Sequence, residues 1–228
     1  MFKQRRSFLV KSGIAAAALS APFSAVFAAD AGEARAVVES ARVTFNDVVK
    51  AKDFDSLRAG LKQAKGVLIY PRVLKAGFFL GGSGGTGVLL VRGGNNDWSN
   101  PAFYTVGSVS FGLQFGGQES AMVILINSQK AVDGLMANSL KLGGDVSAAV
   151  GPQGAGQAAN VTADFVSYSK AKGAFVGMSI EGSVLDVRGA LNNAYYKGDV
   201  TPIDIVSKRS VTNKHADALR KAVAAAAK

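Results

Sequence analysis

Apolar residues recur three and four positions apart at Ala34, Val37, Val38, Ala41, Phe45, Val48 and Val49, the spacing of a helix with one buried stripe. Asp30 stands where a capping residue belongs, and the opposite face mixes Glu33, Arg35, Glu39, Arg42 and Asp47,. A membrane-surface helix presents a mainly basic polar face, so this stripe is predicted to be core packing. A second, short helix runs from Asp55 through Leu57 and Leu61 to Lys65. At Gly66 the period changes to that of strands: Val67–Tyr70, Phe78–Leu80 and Gly87–Val91, then a turn cluster at Gly93–Asp97,. Strands continue through Phe103–Val106 and Ser108–Phe115. Ala121–Ile126 is apolar on both faces and predicts the central buried strand,. Ser128 caps a helix carrying Ala131, Leu135 and Met136. Two more strands are predicted around Val161–Tyr168 and Ala174–Leu185, then helix over Arg188–Tyr196 and a last helix starting at Val211 or Thr212 and ending in Ala222–Ala227.

The chain holds 27 glycines and no cysteine, and the glycines fall inside apolar runs as well as between them. Glycine within a strand marks a bulge, a bend or a close backbone approach. The expected fold is therefore α+β: a strongly bent, antiparallel, glycine-rich sheet or partial barrel with helices at its N- and C-terminal ends. No linker or repeat divides it, so residues 29–228 are read as a single domain.

Residues 1–28 stand apart. Lys3, Arg5, Arg6 and Lys11 make a basic start, an apolar stretch runs from Ile14 through Leu19 to Phe27, and Val26-Phe27-Ala28 offers a small-residue processing site,. Arg5-Arg6-Ser7-Phe8-Leu9-Val10-Lys11 follows the twin-arginine export pattern,. A Sec signal with a chance arginine pair is the alternative. Ser20, Pro22 and Ser24 break the apolar run below the ~20 residues a spanning helix needs,. The expected product is a periplasmic or secreted protein beginning at Ala29, either free or peripheral to a membrane. Removing four cations lowers the net charge from +10 to +6, a balance that points to anionic lipid, or to solubility alone, before nucleic acid.

Chemistry-bearing patterns mostly dissolve on inspection. Gly82-Ser83-Gly84-Gly85-Thr86-Gly87 satisfies G-x-G-x-x-G, but a strand follows it and no carboxylate lies about 20 positions on, as a dinucleotide site requires. A glycine-rich hairpin is the better reading. His215 is the only histidine and sits in a polar helix beside Lys214, away from any nucleophile motif,. Asp97, Glu119, Asp133, Asp145 and Asp164 are dispersed, which predicts neither a metal site nor a cofactor,. The aromatics are mostly phenylalanines in apolar runs, not interleaved with Arg and Lys as nucleic-acid platforms are. Two basic groups remain: Lys62, Lys65, Arg72 and Lys75 around the first strand, and Lys170, Lys172 and Arg188 around the last two. Phe78, Phe79, Trp98 and Phe175 are exposed-apolar candidates nearby, or core.

One pattern covers nearly the whole mature chain. It includes Ala64-Lys65-Gly66, Pro71, Lys75-Ala76-Gly77-Phe78, Gly81–Gly87, Arg92, Trp98-Ser99 and Pro101. It continues through Gly107, Gly112, Gln114, Gly116, Gly143, Gly151-Pro152, Ser167-Tyr168-Ser169-Lys170, Gly173, Gly177 and Glu181-Gly182. Over about residues 35–200 the chain resembles the SYLF domain family, found in eukaryotic membrane-trafficking and actin-patch proteins and in exported bacterial stand-alone domains. The resemblance implies non-catalytic binding of anionic phospholipids or phosphoinositides, with a cell-envelope structural or protein-interaction module as the alternative. Lipid-binding eukaryotic members use a basic amphipathic N-terminal helix; the mixed charge here shifts the expected contact onto the folded domain. The residues placed at that contact are Lys65, Arg72, Lys75, Lys170, Lys172 and Arg188, on the expectation that both basic groups reach one rim.

Overall fold

A computed structural model describes residues 23–77, 80–111, 116–144, 146–152 and 162–228. The chain opens with helices α1 (Phe23–Lys50) and α2 (Asp55–Leu61). A long hairpin follows, β1 (Gly66–Gly77) with β2 (Leu80–Val91), and then β3 (Ala102–Phe111) and β4 (Gly116–Ile126), which flank that hairpin, β3 beside β2 and β4 beside β1. Then come α3 (Gln129–Leu135), β5 (Ser139–Lys141), β6 (Ala148–Val150), β7 (Phe165–Ala171), β8 (Ala174–Phe175), β9 (Val184–Val187), α4 (Gly189–Tyr196) and α5 (Asp217–Ala226). The strands form one sheet in the order β5-β9-β3-β2-β1-β4-β7-β6, with β8 folded back on β7. It is strongly curled, as the glycines predict, but mixed: β6 runs parallel to β7. That corrects the purely antiparallel expectation. Apolar alternation reports a strand's buried face, not its partner's direction.

β1 lies inside the sheet yet contains Pro71, which cannot donate to a ladder and is tolerated there only at a bulge. Register slips between Tyr70 and Val73 against β4, and between Ile69 and Leu74 against β2. Across this bulge a Cβ on Gly85 would collide with the Arg72 carbonyl, and one on Gly87 with the Ile69 carbonyl and the Tyr70 ring. These two glycines let β2 follow the bend.

Each face carries its own core. On one, α1, α2, α4 and α5 cover Val67, Ile69, Val88, Leu90, Phe103, Val123, Leu125 and Tyr168. On the other, α3 and the loops around Leu142, Ile180 and Ile205 cover Leu68, Tyr70, Leu89, Tyr104, Met122 and Ile124. Helix α1 buries Ala34, Val38, Ala41, Phe45 and Val48, five of the seven predicted stripe positions. It begins at Phe23, seven residues before the expected cap at Asp30, so the expected cleavage point after Ala28 falls inside it. Residues 1–22 lie outside the described residues. No helix among the described residues is long and apolar enough to cross a membrane.

Ser128 caps α3 as predicted, its Oγ accepting from the Ala131 amide at 3.1 Å. Ala121–Ile126 belongs to β4, next to β1, with Met122–Ile126 buried on both faces. The run Ala174–Leu185 is not one strand. It divides into β8, a crossing segment and β9, because β8 lies beside β7 at one flank and β9 beside β3 near the other. The final helix starts at Asp217, after a single turn at Lys214–Ala216.

Candidate functional site

The six predicted cations are scattered, not gathered on one rim. Lys65 precedes β1, its amide bonded to Ile126, and Lys75 lies ten residues on, about 33 Å away along a strand. Arg72, at the bulge, pairs with Glu119 (2.9 Å) on the α1 face. Lys75 projects from the opposite face, since Val73 belongs to the second core and side chains alternate,. The same-rim expectation therefore fails, because strand length separates the ends and the pleat separates the faces.

Lys170 and Arg188 are tied to α1. Lys170, largely buried at 14% exposure, holds Asp47 at 2.7 Å, and Arg188 holds Glu33 at 3.2 Å while reaching Thr86 at 3.4 Å. Asp47 and Glu33 are about 21 Å apart along the helix, close to the ~19 Å spanned by the four strand spacings from β7 to β3. The two pairs thus pin α1 across the sheet near opposite flanks. Lys172 remains exposed at the tip of the β7–β8 hairpin, where Lys172 and Gly173 both take positive φ, as a two-residue turn of the I′ kind requires,.

Near that tip the structure adds two cations the spacing did not single out. Lys50 ends α1 one turn beyond Asp47, and Lys52 lies two residues from Phe54, whose ring meets Phe175 at 5.5 Å. Phe175 is paired with Lys170. Lys50, Lys52, Lys170 and Lys172 therefore converge on one corner of the α1 face, with Arg72 two strands away. Asp47 and Asp53 accompany them. In sequence only the pair Lys50-Ala51-Lys52 hinted at this.

The recurring motif residues hold the fold together. Arg92 donates from Nε to the Ala64 carbonyl (2.9 Å) and from its other arm to Leu61, while its guanidinium stacks 4.8 Å from the Trp98 ring centroid. Trp98 is core, not an exposed aromatic. Ser167 donates to the Met178 carbonyl (2.9 Å), Tyr168 packs on Phe54 over Gly151, where no side chain would fit, and Ser56 closes on the Pro152 carbonyl (2.7 Å). Phe175 is half-buried against the first core; Phe78 and Phe79 lie outside the described residues.

The suspected chemistry has structural uses. Gly82–Gly87 lies within β2, so it is not a loop before a helix. Asp97 is held by Arg209 and Arg220, beside a shallow pocket of about 210 Å³ lined by Trp98, Asp217 and Lys221 among others. Asp164 accepts from the Ser128 hydroxyl (2.5 Å) and the Ser147 amide (2.9 Å), bonds that hold its carboxyl below the usual range. Asp133 accepts from Gln129, and Asp145 lies outside the described residues. His215 is exposed, 3.2 Å from the Tyr195 hydroxyl. Among the described residues no three acidic, histidine or cysteine side chains are placed to hold a metal ion.

Residues 107–226 match the family model Ysc84, described as "Las17-binding protein actin regulator". The chain belongs to the SYLF (Ysc84) family. It is 40% identical over 166 residues to an SH3 domain-containing protein of Schizosaccharomyces pombe, covering 70% of this chain and 38% of that protein. Protein YSC84 of Saccharomyces cerevisiae is 37% identical over 166 residues, 70% of this chain and 35% of that one. The bovine SH3 domain-containing YSC84-like protein 1 is 35% identical over 151 residues, 64% and 44%. The chain thus spans well under half the length of these relatives. The family's description is of a binding protein and regulator, not of an enzyme.

Proposed function

We propose that this chain is a non-catalytic binding domain that attaches to anionic phospholipid head groups, phosphoinositides among them, through the basic corner where α1 meets the β7–β8 hairpin. The observation that carries the reading is the convergence there of Lys50, Lys52, Lys170 and Lys172. Membership of the SYLF family and the excess of basic residues support it. Lys170 is already matched by Asp47, so Lys50, Lys52 and Lys172 supply most of the attraction. At about 1 kcal/mol per cation near an anionic bilayer, three give about 3 kcal/mol, a weak and salt-sensitive attachment. Flotation with phosphatidylglycerol against phosphatidylcholine vesicles tests it. K50E/K52E/K172E is expected to abolish binding and K65E to leave it nearly intact; unchanged binding by the triple variant refutes the corner.

The export reading belongs to the same proposal: a twin-arginine signal delivers the folded domain to the periplasm, with the chain cut after Ala28. Ala34 is the first fully buried side chain of α1 among the described residues, so a chain starting at Ala29 keeps the stripe that anchors the helix. Replacing Arg5 and Arg6 with Lys is expected to block export; normal periplasmic levels point instead to a Sec signal. A protein partner is the second reading, favoured by the family's description as binding Las17. Recovery of one partner by the full chain, undiminished in K50E/K52E/K172E, is the result that favours it.

A further inference from the structure

Beyond the Pro71–Arg72 bulge the sheet is two-faced. The face away from α1 presents Lys75, Gln118 and the Ser83–Ser108 pair, whose hydroxyls are 2.7 Å apart. The α1 face at the same level presents Leu74, 48% exposed, with Gly82, Gly84 and Gly107. A Cβ built on Gly82 or Gly84 would meet only a carbonyl of the neighbouring strand, at 3.6 and 3.5 Å, and one on Gly107 nothing within 4 Å. Among the described residues this floor has no cover, although an antiparallel sheet solvated on its polar face is packed on the other.

Helix α1 forms the wall beside this floor. Arg188, bonded to Glu33, reaches Thr86, and Lys170, bonded to Asp47, is paired with Ala121. Thr86 and Ala121 each lie two residues past the core row Val88, Ile69, Val123, toward Gly84 and Glu119. The flank of α1 that carries Glu33 and Asp47 therefore looks over the floor. At about 100° per residue, exposed Ala36 and Ser40 fall on that flank, and Val43, 55% exposed, points away from its own sheet,. The opposite flank belongs to α4 and α5, where Arg35 and Glu39 lie toward Tyr195 and His215. Val43 and Leu74 thus border one step about a helix diameter, ~10 Å, deep. Its charges are Glu33, Asp47 and Glu119 against Arg188, Lys170 and Arg72, each acid paired with one cation. A step serving an acidic or basic partner would carry an excess of one sign. This one balances within a chain of net charge +10, which fits a copy of itself.

We propose that this step is the interface of a two-fold homodimer whose axis runs beside α1 and parallel to it. Each α1 lies on the other copy's floor, with Val43 against the second copy's Leu74 and Ser40 facing Ser40 across the axis. Such an isologous contact is self-complementary. Four strands give a floor ~19 Å wide and ~14 Å long, and α1 adds a wall ~21 Å long and ~10 Å high. The plan area is about 480 Å² per copy and about 1,000 Å² for two, the lower end for a specific interface, so the dimer is weak and reversible.

Sedimentation equilibrium of the full chain over a wide concentration range tests the interface. A reversible monomer–dimer equilibrium is expected, weakened at least tenfold in V43D/L74D. Both side chains are exposed, so the urea midpoint of that variant at low concentration changes little. Raised salt is expected to strengthen the dimer by screening repulsion between two basic copies, whereas it weakens vesicle attachment. K50E/K52E/K172E is expected to lose vesicles and still dimerise as well as the parent, so either reading fails alone. The chain has no cysteine, so S40C supplies a single thiol. Mild oxidation is expected to link it into a dimer far faster than it links K62C, an exposed control. A monomer at every concentration, association untouched by V43D/L74D, or S40C cross-linking no faster than K62C overturns the proposal.

Discussion

The two ends of the same four strands do opposite work. At the core end, Gly66–Tyr70, Val88–Val91, Ala102–Tyr104 and Met122–Ile126 are covered on both faces and almost wholly buried. Beyond the Pro71–Arg72 bulge the strands continue as a ladder, but on the α1 face the packed side chains give out. One row across the α1 face reads Gly107, Gly84, Leu74, Glu119, with Leu74 48% exposed and open space above Gly107. Backbone pairing persists where packing has ended. Stability is therefore concentrated at one end, because burial of apolar surface rather than ladder hydrogen bonding supplies most of the net gain.

Breaking the core end is expected to have the largest effect. Trp98→Ala empties a fully buried site beneath Arg92 and should cost about 4 kcal/mol in urea unfolding; a loss under 1 would mean the two halves do not differ as described. Gly87→Val comes next, at about 3 kcal/mol, because the new side chain must displace β1 backbone rather than a flexible tip. Lys170→Ala should cost about 1 kcal/mol or less through loss of one partly shielded ion pair on α1, read as a small shift in unfolding midpoint that raised salt diminishes.

Acid sharpens the comparison further. The Ser128 hydroxyl and the Ser147 amide hold the Asp164 carboxyl below its ordinary value. The native state therefore prefers the ionised form. The stability this adds is complete above the ordinary carboxylate range and is lost as pH falls below about 4 and through the depressed native value. Asp164→Asn should flatten the fall in urea midpoint between pH 5 and pH 3; an unaltered slope contradicts the assignment. The smallest effects belong to the far half, where Leu74→Ser and Gly107→Ala should each shift stability by no more than about 0.5 kcal/mol.

Much of the architecture was written locally. The α1 stripe from Ala34 to Val48, the Ser128 cap, the turn at Gly93–Asp97 and the doubly apolar run ending at Ile126 each depend on neighbours within a few residues. The glycines announced a bent sheet in the same way. Local pattern could not say that Ala174–Leu185 breaks into a short strand, a crossing segment and a strand held between β5 and β3, since alternation looks alike in each.

The sequence by itself determined which residues are apolar, where the chain must turn and that cations outnumber carboxylates, because these are properties of single positions and short spacings. It also carried the family, through glycines, Arg92, Trp98 and the Ser167–Lys170 phrase, whose common work is bracing. Tertiary structure alone decided which cations meet. Lys65 and Lys75 are close in sequence and about 33 Å apart along a strand, whereas Lys50 and Lys172 are 122 positions apart in the chain and share a corner. The reason is geometric: a strand separates its own ends and alternates its faces, while a helix laid across a sheet brings distant segments to one place.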